Sequence, residues 1–280
     1  MRTVPTSDIR DVIAEIAVKA CMEVDVSVTD SFAKALKTET SELGSYVLNQ
    51  LIDNYDIAKR ERIPICQDTG MVTVFCSVGQ DVHLSGDPVE DMINEGIRIG
   101  YEKGYLRKSV VRDPIDRVNT GDNTPAVIHY RIVPGDKVTV TVVPKGAGCE
   151  NMSKLTILKP TQELSDVKSF VKKSVFEAGA NACPPFFIGV GIGGNFEKVA
   201  ILAKEAVTLP FTERSEIPYV AKLEDELLAE INELNLGPQG FGGKTTALGL
   251  RVLVYPTHIA SLPVAVNISC HAVRHEKAVI

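Results

Sequence analysis

The chain has 280 residues, of which 24% are charged and 44% apolar, ordinary proportions for a globular protein with a sizeable core. Its net charge of −6 and the lack of a Lys/Arg stripe argue against a nucleic-acid-binding surface. No apolar run reaches the length of about 18 residues that a membrane span needs. The N-terminus lacks the apolar core of a signal peptide, so a cytoplasmic location is expected.

The N-terminal part, about residues 1–60, is predicted to be helical. Apolar residues recur at three- and four-residue spacing from Ile9 to Ala20, and further helices are expected at Ser31–Leu36 and Glu42–Arg60. No linker rich in Pro or Gly follows. We therefore expect this helical segment to pack onto the remainder as part of a single domain, residues 1–280.

The rest of the chain alternates strands and helices. A strand is predicted at Met71–Phe75, and two alternating runs, Val127–Val133 and Lys137–Val143, flank Pro134-Gly135-Asp136 in the pattern of a hairpin. Further helices are expected at about residues 88–103, 164–180, 196–206 and 220–234, and closing strands at 248–254 and 264–268. The prediction is an α/β fold, with an N-terminal helical segment packed on a mixed sheet with flanking helices.

Two glycine-rich stretches resemble nucleotide-binding motifs. Gly189-x-Gly191-x-x-Gly194 satisfies the dinucleotide fingerprint, but a tight strand-to-helix turn whose glycines admit a close backbone is the favoured interpretation. Gly242-Gly243-Lys244-Thr245 resembles the end of a P-loop. Pro238 stands where the first glycine is required, and a strand rather than a helix is predicted to follow, so a nucleotide triphosphatase is excluded.

Six cysteines in a cytoplasmic chain without a Cys-x-x-Cys pair do not indicate a disulfide framework. Cys21 and Cys76 fall among apolar neighbours and are expected in the core. The other four are expected at loops or strand ends, beside Pro, Gly or polar residues, a pattern typical of iron–sulfur ligation. A zinc site remains an alternative, because cysteine thiolates also bind zinc. These four are Cys66, Cys149, Cys183 and Cys270.

Two further features favour a catalytic site. Cys66-Gln67-Asp68-Thr69-Gly70 places a thiol, an amide, a carboxylate and a hydroxyl at the start of a strand, which suits a site better than a core. His258 lies in a loop between the closing strands, and an imidazole there is a candidate acid or base because it titrates near neutral pH. A structural role for His258 is equally open. His271 and His275 are expected to be exposed.

In chain order, these motifs resemble the α subunit, equivalently the N-terminal half, of class I iron–sulfur fumarases and of the related L-tartrate dehydratase. The similarity covers the chain from about residue 60 to the end. It is carried by Ile65–Gly70, Lys145–Asn151, Cys183–Gly194, Gly237–Thr245 and the segment from His258 to Cys270-His271.

The resemblance implies a [4Fe–4S] cluster held by Cys66, Cys183 and Cys270, with one iron open to act as a Lewis acid. Cys149 stands where Ser is expected in this family, and it is the one cysteine of the four that the resemblance does not assign to the cluster. The resemblance also implies site residues: Asp68 and His258 match positions implicated in proton transfer, and substrate contacts are expected from Gln67, Asp68, Arg107 and the backbone N–H of Gly148.

The implied reaction is the reversible hydration of fumarate to (S)-malate, and dehydration of L-tartrate is the alternative. Two other classes of protein remain open. One is a non-catalytic protein that carries a cluster or senses redox state, and the other, ranked third, is a nucleotide-binding dehydrogenase. Because the family also uses a second half of about domain size, the resemblance implies a β subunit as partner and an α2β2 assembly. An open iron further predicts activity that is lost in air and restored by iron plus reductant.

Overall fold

The computed structural model describes all 280 residues and divides them into two compact units. The first unit comprises Met1–Val24, Tyr55–Ala147 and Arg274–Ile280, and the second comprises Asp25–Asn54 and Gly148–Val273. The predicted α/β class is confirmed, because each unit combines helices with a four-stranded mixed sheet. The assignment of residues 1–280 to a single hydro-lyase domain stays a prediction. None of the helices has the length and apolar character needed to cross a membrane.

The first unit is organised around a sheet with the strand order β10-β5-β2-β4. Its strands are β2 (Met71–Gly79), β4 (Val127–Val133), β5 (Val138–Lys145) and β10 (Glu276–Val279). A smaller parallel pair is formed by β1 (Arg2–Pro5) and β3 (Val82–Ser85). Two helices, α1 (Thr6–Met22) and α4 (Val89–Lys103), pack against each other, and α1 also packs against β5.

The predicted hairpin of β4 and β5 is wrong. β2 lies between these strands, parallel to β4 and antiparallel to β5. The connection after β4 crosses the end of β2, where the Gly79 N–H donates to the Lys137 carbonyl at 2.8 Å. A Cβ at Gly79 would lie 2.3 Å from the Gly135 oxygen, so only glycine admits this crossing. β2 is central because most of its side chains are buried, whereas β4 is largely exposed.

The second unit has the strand order β6-β9-β7-β8. Helices α6 and α8 pack on one face of this sheet and α7 packs on the other. The strands are β6 (Lys154–Leu158), β7 (Phe186–Gly193), β8 (Ala247–Tyr255) and β9 (Leu262–Ser269). The helices are α2 (Val26–Thr38), α5 (Ala147–Glu150), α6 (Leu164–Ala178), α7 (Phe196–Ala206) and α8 (Pro218–Asn232), while α3 (Glu42–Glu61) contributes residues to both units.

The glycines of β7 serve helix packing. One face of β7 carries large apolar side chains that join the core with α6 and α8, and the other face lies against α7. A Cβ at Gly189 would lie 2.1 Å from the Ala203 oxygen, and one at Gly191 would lie 2.3 Å from the Val199 oxygen. Both oxygens belong to the α7 backbone, so glycine lets the helix lie directly on the strand. The packing interpretation of this glycine motif is confirmed.

A buried ion pair closes the edge of the second sheet at β8. The Glu224 carboxylate of α8, only 1% exposed, accepts from the Arg251 guanidinium at 3.1 Å and from the Val252 N–H at 2.9 Å. Its other oxygen accepts from the Ser215 N–H at 2.9 Å. The pair thus satisfies a backbone donor of an edge strand and fastens the loop before α8.

Four strands are not predicted from the sequence: β1, β3, β6 and β10. Each has four or five residues, too few for a periodic pattern to be recognised. Each pairs with a strand that is distant in the chain, such as β10 with β5. Their existence therefore depends on tertiary pairing rather than on local sequence.

Candidate active site

Cys66 lies in the loop between α3 and β2, within the first unit. The Ile65 N–H donates to the Cys21 carbonyl at 2.9 Å, which fastens this loop to the end of α1. Cys66 is half-buried, and its Sγ lies 3.5 Å from Gln67 Oε1. Cys21 and Cys76 are buried as predicted, and burial raises the pKa of both thiols to about 11. These two thiols are therefore neutral core groups.

The Asp68 carboxylate joins two backbone segments. Oδ1 accepts from the Gly70 N–H at 3.0 Å, and Oδ2 accepts from the Ala147 N–H at 2.9 Å. Gly70 has a φ of +76°, and a Cβ there would lie 2.2 Å from the Lys145 oxygen. Glycine is thus required for the two segments to meet. The bonds fix the direction of the carboxylate and leave a second lone pair on each oxygen for a ligand or proton.

Arg107 lies beside the same loop. The Thr69 hydroxyl donates to the Arg107 carbonyl at 3.0 Å, and the buried Tyr101 hydroxyl donates to the Thr69 carbonyl at 2.9 Å. The Arg107 side chain is exposed. The structure therefore brings the predicted residues Cys66, Gln67, Asp68 and Arg107 into one neighbourhood of the first unit.

Asn123 holds these loops together and was missed by sequence reasoning. It is fully buried, its amide donates to the Gly70 carbonyl at 3.1 Å, and its Oδ1 accepts from the Ser109 N–H at 2.7 Å. One side chain thus connects the loop that follows Cys66 to the segment that follows Arg107. The only sequence signal is its place in the polar run Asn119–Thr124, which is typical of any loop.

Cys183 and Cys270 lie at one end of the sheet of the second unit. Cys183 ends a short 3₁₀ turn, and its carbonyl accepts from the N–H of His271 at 3.3 Å, which places Cys270 next to it in space. Cys183 is exposed and Cys270 is half-buried. A Cβ at Gly148 would lie 3.8 Å from the Asn181 oxygen, so Gly148 belongs to the same end.

Cys149 differs from these two cysteines. It is 6% exposed and belongs to the hydrophobic core formed by α6, α8 and the sheet. Its thiol is therefore directed into the protein interior, and the structure gives it a packing role. His271 and His275, expected at the surface, are only partly exposed.

The structure does not bring His258 together with Cys183 and Cys270. The Thr257 hydroxyl donates to the Gly194 carbonyl at 2.9 Å, beyond the end of β7, whereas Cys183 precedes the start of that strand. β9 runs antiparallel to β7, so Cys270 follows β9 at the start of β7. A strand rises about 3.3 Å per residue, which puts roughly 20 Å of sheet between His258 and the two cysteines.

The His258 side chain is exposed and its orientation is fixed. Nδ1 accepts from the Ala260 N–H at 3.1 Å, and the His258 carbonyl accepts from the Ser261 N–H at 2.9 Å. A neutral ring that accepts at Nδ1 carries its proton on Nε2. His258 is thus held as a potential donor at the surface of the second unit.

The cysteines form no disulfide, and no three Cys, His, Asp or Glu side chains converge as ligands of a single metal ion would. Cluster ligands are under a different constraint, because each thiolate binds its own iron and the sulfurs need not meet at one point. Cys66, Cys183 and Cys270 are the three cysteines that are not buried. By exposure, these three fit a cluster better than the other three.

The chain is similar in sequence to proteins of one family. A model of the fumarate hydratase (Fumerase) family matches residues 10–279. A Methanocaldococcus jannaschii protein described as "Putative L(+)-tartrate dehydratase subunit alpha" is 36% identical over 272 residues, covering 95% of each chain. An L(+)-tartrate dehydratase subunit alpha from Escherichia coli is 30% identical over 268 residues, covering 94% of this chain and 88% of that protein.

These similarities place the chain among hydro-lyases, enzymes that add water to a carbon–carbon double bond or remove it. The chain belongs to the fumarate hydratase (Fumerase) family. The two relatives are named as α subunits, so each of them is one part of a larger enzyme.

Proposed function

We propose that this chain is the α subunit of an iron–sulfur hydro-lyase that reversibly hydrates fumarate to (S)-malate. The observation that carries the proposal is the polar run at Cys66, Gln67 and Asp68, held beside Arg107 by the hydrogen bond that the Thr69 hydroxyl donates to the Arg107 carbonyl. Dehydration of L(+)-tartrate is the second candidate, favoured by the names of the two relatives. Malate and tartrate differ by one hydroxyl, so substrate choice depends on very few contacts.

We propose that Cys66, Cys183 and Cys270 hold a [4Fe–4S] cluster. Their exposure and their positions at the ends of elements support this, because the remaining cysteines are buried. When bound, a cluster with three protein thiolates supplies an iron that can act as a Lewis acid toward a substrate oxygen.

The other groups bind the substrate and move its proton. Arg107 is suited to grip a carboxylate through two parallel N–H bonds, and the Gln67 amide can donate to or accept from a hydroxyl. The Gly148 N–H is a further donor. The Asp68 carboxylate, oriented by the Gly70 and Ala147 N–H groups, can hold the proton that leaves or joins carbon.

We propose His258 as the second proton-transfer group, acting in the site of a second copy of the chain. Roughly 20 Å of sheet separates the His258 ring from Cys183 and Cys270 of the same chain. Hydrogen bonds at Thr257 and Ser261 fasten its loop, so the ring cannot move that far. The neighbouring Ile259 is 93% exposed, so this loop tip is accessible to another chain. His258 of one copy can meet Asp68 of another, and a two-fold arrangement completes both sites. We propose that two such chains and two β subunits form an α2β2 assembly.

Anaerobic reconstitution tests the cofactor and the substrate together. The chain and its β subunit are loaded with iron and sulfide, both elements are counted per chain, and the EPR spectrum is recorded with fumarate, (S)-malate or L-tartrate. We expect a four-iron cluster whose signal changes with the true substrate, and lower iron content for Cys183→Ser than for the control Cys76→Ser. A signal that no diacid changes would contradict the proposal.

Mixing two inactive variants tests the role of His258. We expect Asp68→Asn and His258→Asn to be inactive alone and to regain about a quarter of wild-type activity after random mixing, because half of the pairs are mixed and each has one intact site. A mixture no more active than its components would refute sharing between copies. If His258→Asn alone keeps full activity, its catalytic role is wrong while the hydro-lyase proposal stands.

A further inference from the structure

A second concave site lies in the second unit, and none of the residues assigned above lines it. Its walls are one face of α2, the loop before α8, the C-terminal part of α8 and the segment that enters β8. The cavity has a volume of about 390 Å³, within the range of small-molecule sites. The lining includes Lys34, Ala35, Phe211, Arg214, Lys244 and Leu248.

The lining charge is entirely positive. Lys34, Arg214 and Lys244 line the cavity and no Asp or Glu does, although the chain as a whole carries −6. Arg214 is held in place by the Asp225 carboxylate and the Phe211 carbonyl. Neither Lys34 nor Lys244 forms an ion pair. Two lysines without an ion-pair partner thus line one concavity.

Both lysines extend from fixed backbone. Lys34 lies near the middle of α2, on the helix face that lines the cavity. The backbone N–H of Lys244 donates to Glu39 Oε1 at 3.1 Å, and the Thr245 N–H and hydroxyl donate to Glu39 Oε2 at 2.9 and 2.7 Å. The Glu39 carboxylate is thus bound to the loop that carries Lys244, and Glu39 does not line the cavity.

Part of the remaining wall is apolar, and the rest carries the polar side chains of Ser31, Thr38, Thr212, Asn232 and Thr245. Ala35, Phe211 and Leu248 form the apolar part, and the Phe211 ring packs at a tilt against Phe187 with ring centroids 4.5 Å apart. The apolar part of this wall favours a ligand with a short hydrocarbon part. Such a ligand would place its charged group between the two lysines.

We propose that this cavity binds a small organic anion, with a carboxylate or phosphate group held by Lys34 and Lys244 and a short apolar body against Phe211. This binding does not depend on the identity of the reaction or on the presence of a cluster. A phosphate ester and a carboxylate share the negative charge that the lysines recognise. Comparing isobutyl phosphate with isovalerate distinguishes the two head groups.

Calorimetric titration of the cluster-free full-length chain tests the proposal with inorganic phosphate, isobutyl phosphate and isovalerate as probes. At low salt, we expect isobutyl phosphate or isovalerate to bind at least several-fold more tightly than inorganic phosphate, because only they contact the apolar wall. The tighter of the two identifies the preferred head group. Lys34→Gln and Lys244→Gln should each weaken that binding about tenfold, as expected for the loss of one charge-assisted contact.

Lys37→Gln is the matched control, because Lys37 is exposed on the same helix and does not line the cavity. It should leave the affinity unchanged. The proposal is overturned if none of the three probes binds, if inorganic phosphate binds as tightly as the organic anions, or if Lys37→Gln weakens binding as much as Lys34→Gln. Far-ultraviolet circular dichroism of each variant verifies that the fold is retained.

Discussion

Replacing Glu39 by Gln should destabilise the protein in a pH-dependent way. Glu39 follows α2, and its carboxylate accepts from the backbone of Ser41 at 3.0 Å and from the Lys244–Thr245 segment. Burial alone would disfavour the charged form. The hydrogen bonds from Ser41, Thr245 and Lys244 outweigh it and lower the pKa of Glu39 to about 2. Glutamine retains one acceptor oxygen but introduces an NH₂ group that faces these N–H donors.

The size of the effect follows from the pKa. A fall from 4.5 to about 2 is worth about 3 kcal/mol if taken in full. Glu39 is only half-buried, so screening by solvent reduces this, and we expect a loss of about 2 kcal/mol in the free energy of unfolding. For a chain of this size, that corresponds to a melting temperature lower by roughly 5 °C.

The pH dependence gives the sharper test. A carboxylate whose pKa is lowered on folding stabilises the protein above its unfolded pKa of 4.5, and this stability is lost as the pH falls towards about 2. Urea unfolding of the cluster-free chain should therefore show a gap between wild type and Glu39→Gln that is full at about pH 7 and narrower at about pH 3.5. Glu216→Gln, at an exposed position of the same unit, is the control. Equal stability at about pH 7, or a gap of constant size, would refute this account of Glu39.

Three further outcomes are expected. Glu224→Ala should lower the free energy of unfolding by about 3–5 kcal/mol, because it leaves the buried Arg251 charge uncompensated. The control Asp225→Ala, at an exposed neighbouring position, should lower it by less than about 1 kcal/mol. Equal urea midpoints for the two variants would contradict this prediction. Gly191→Ala should cost about 1–3 kcal/mol, because its Cβ would lie 2.3 Å from the Val199 oxygen; unchanged thermal stability would show that α7 can move away freely. Activity of the reconstituted enzyme should decline in air and return with iron and reductant, and activity that survives prolonged aeration would argue against an open iron.

Local patterns were sufficient for features that depend on neighbouring residues. The bounds of α7 at Phe196–Ala206 agree with the prediction because a helix is defined by contacts three and four residues apart. The core positions of Cys21 and Cys76 follow from their apolar neighbours. The polar run at Cys66 was recognisable because four reactive groups without a gap rarely suit a core.

The sequence by itself determined the α/β class, most helices and the family. Only the tertiary structure decided that β2 separates β4 from β5, that Asn123 braces the loops around Gly70, and that His258 lies at the opposite end of its sheet from Cys270. The reason is physical: strand order, register and the partners of a buried amide are set by contacts between segments far apart in the chain. Such contacts produce no periodic pattern of apolar residues within any one segment.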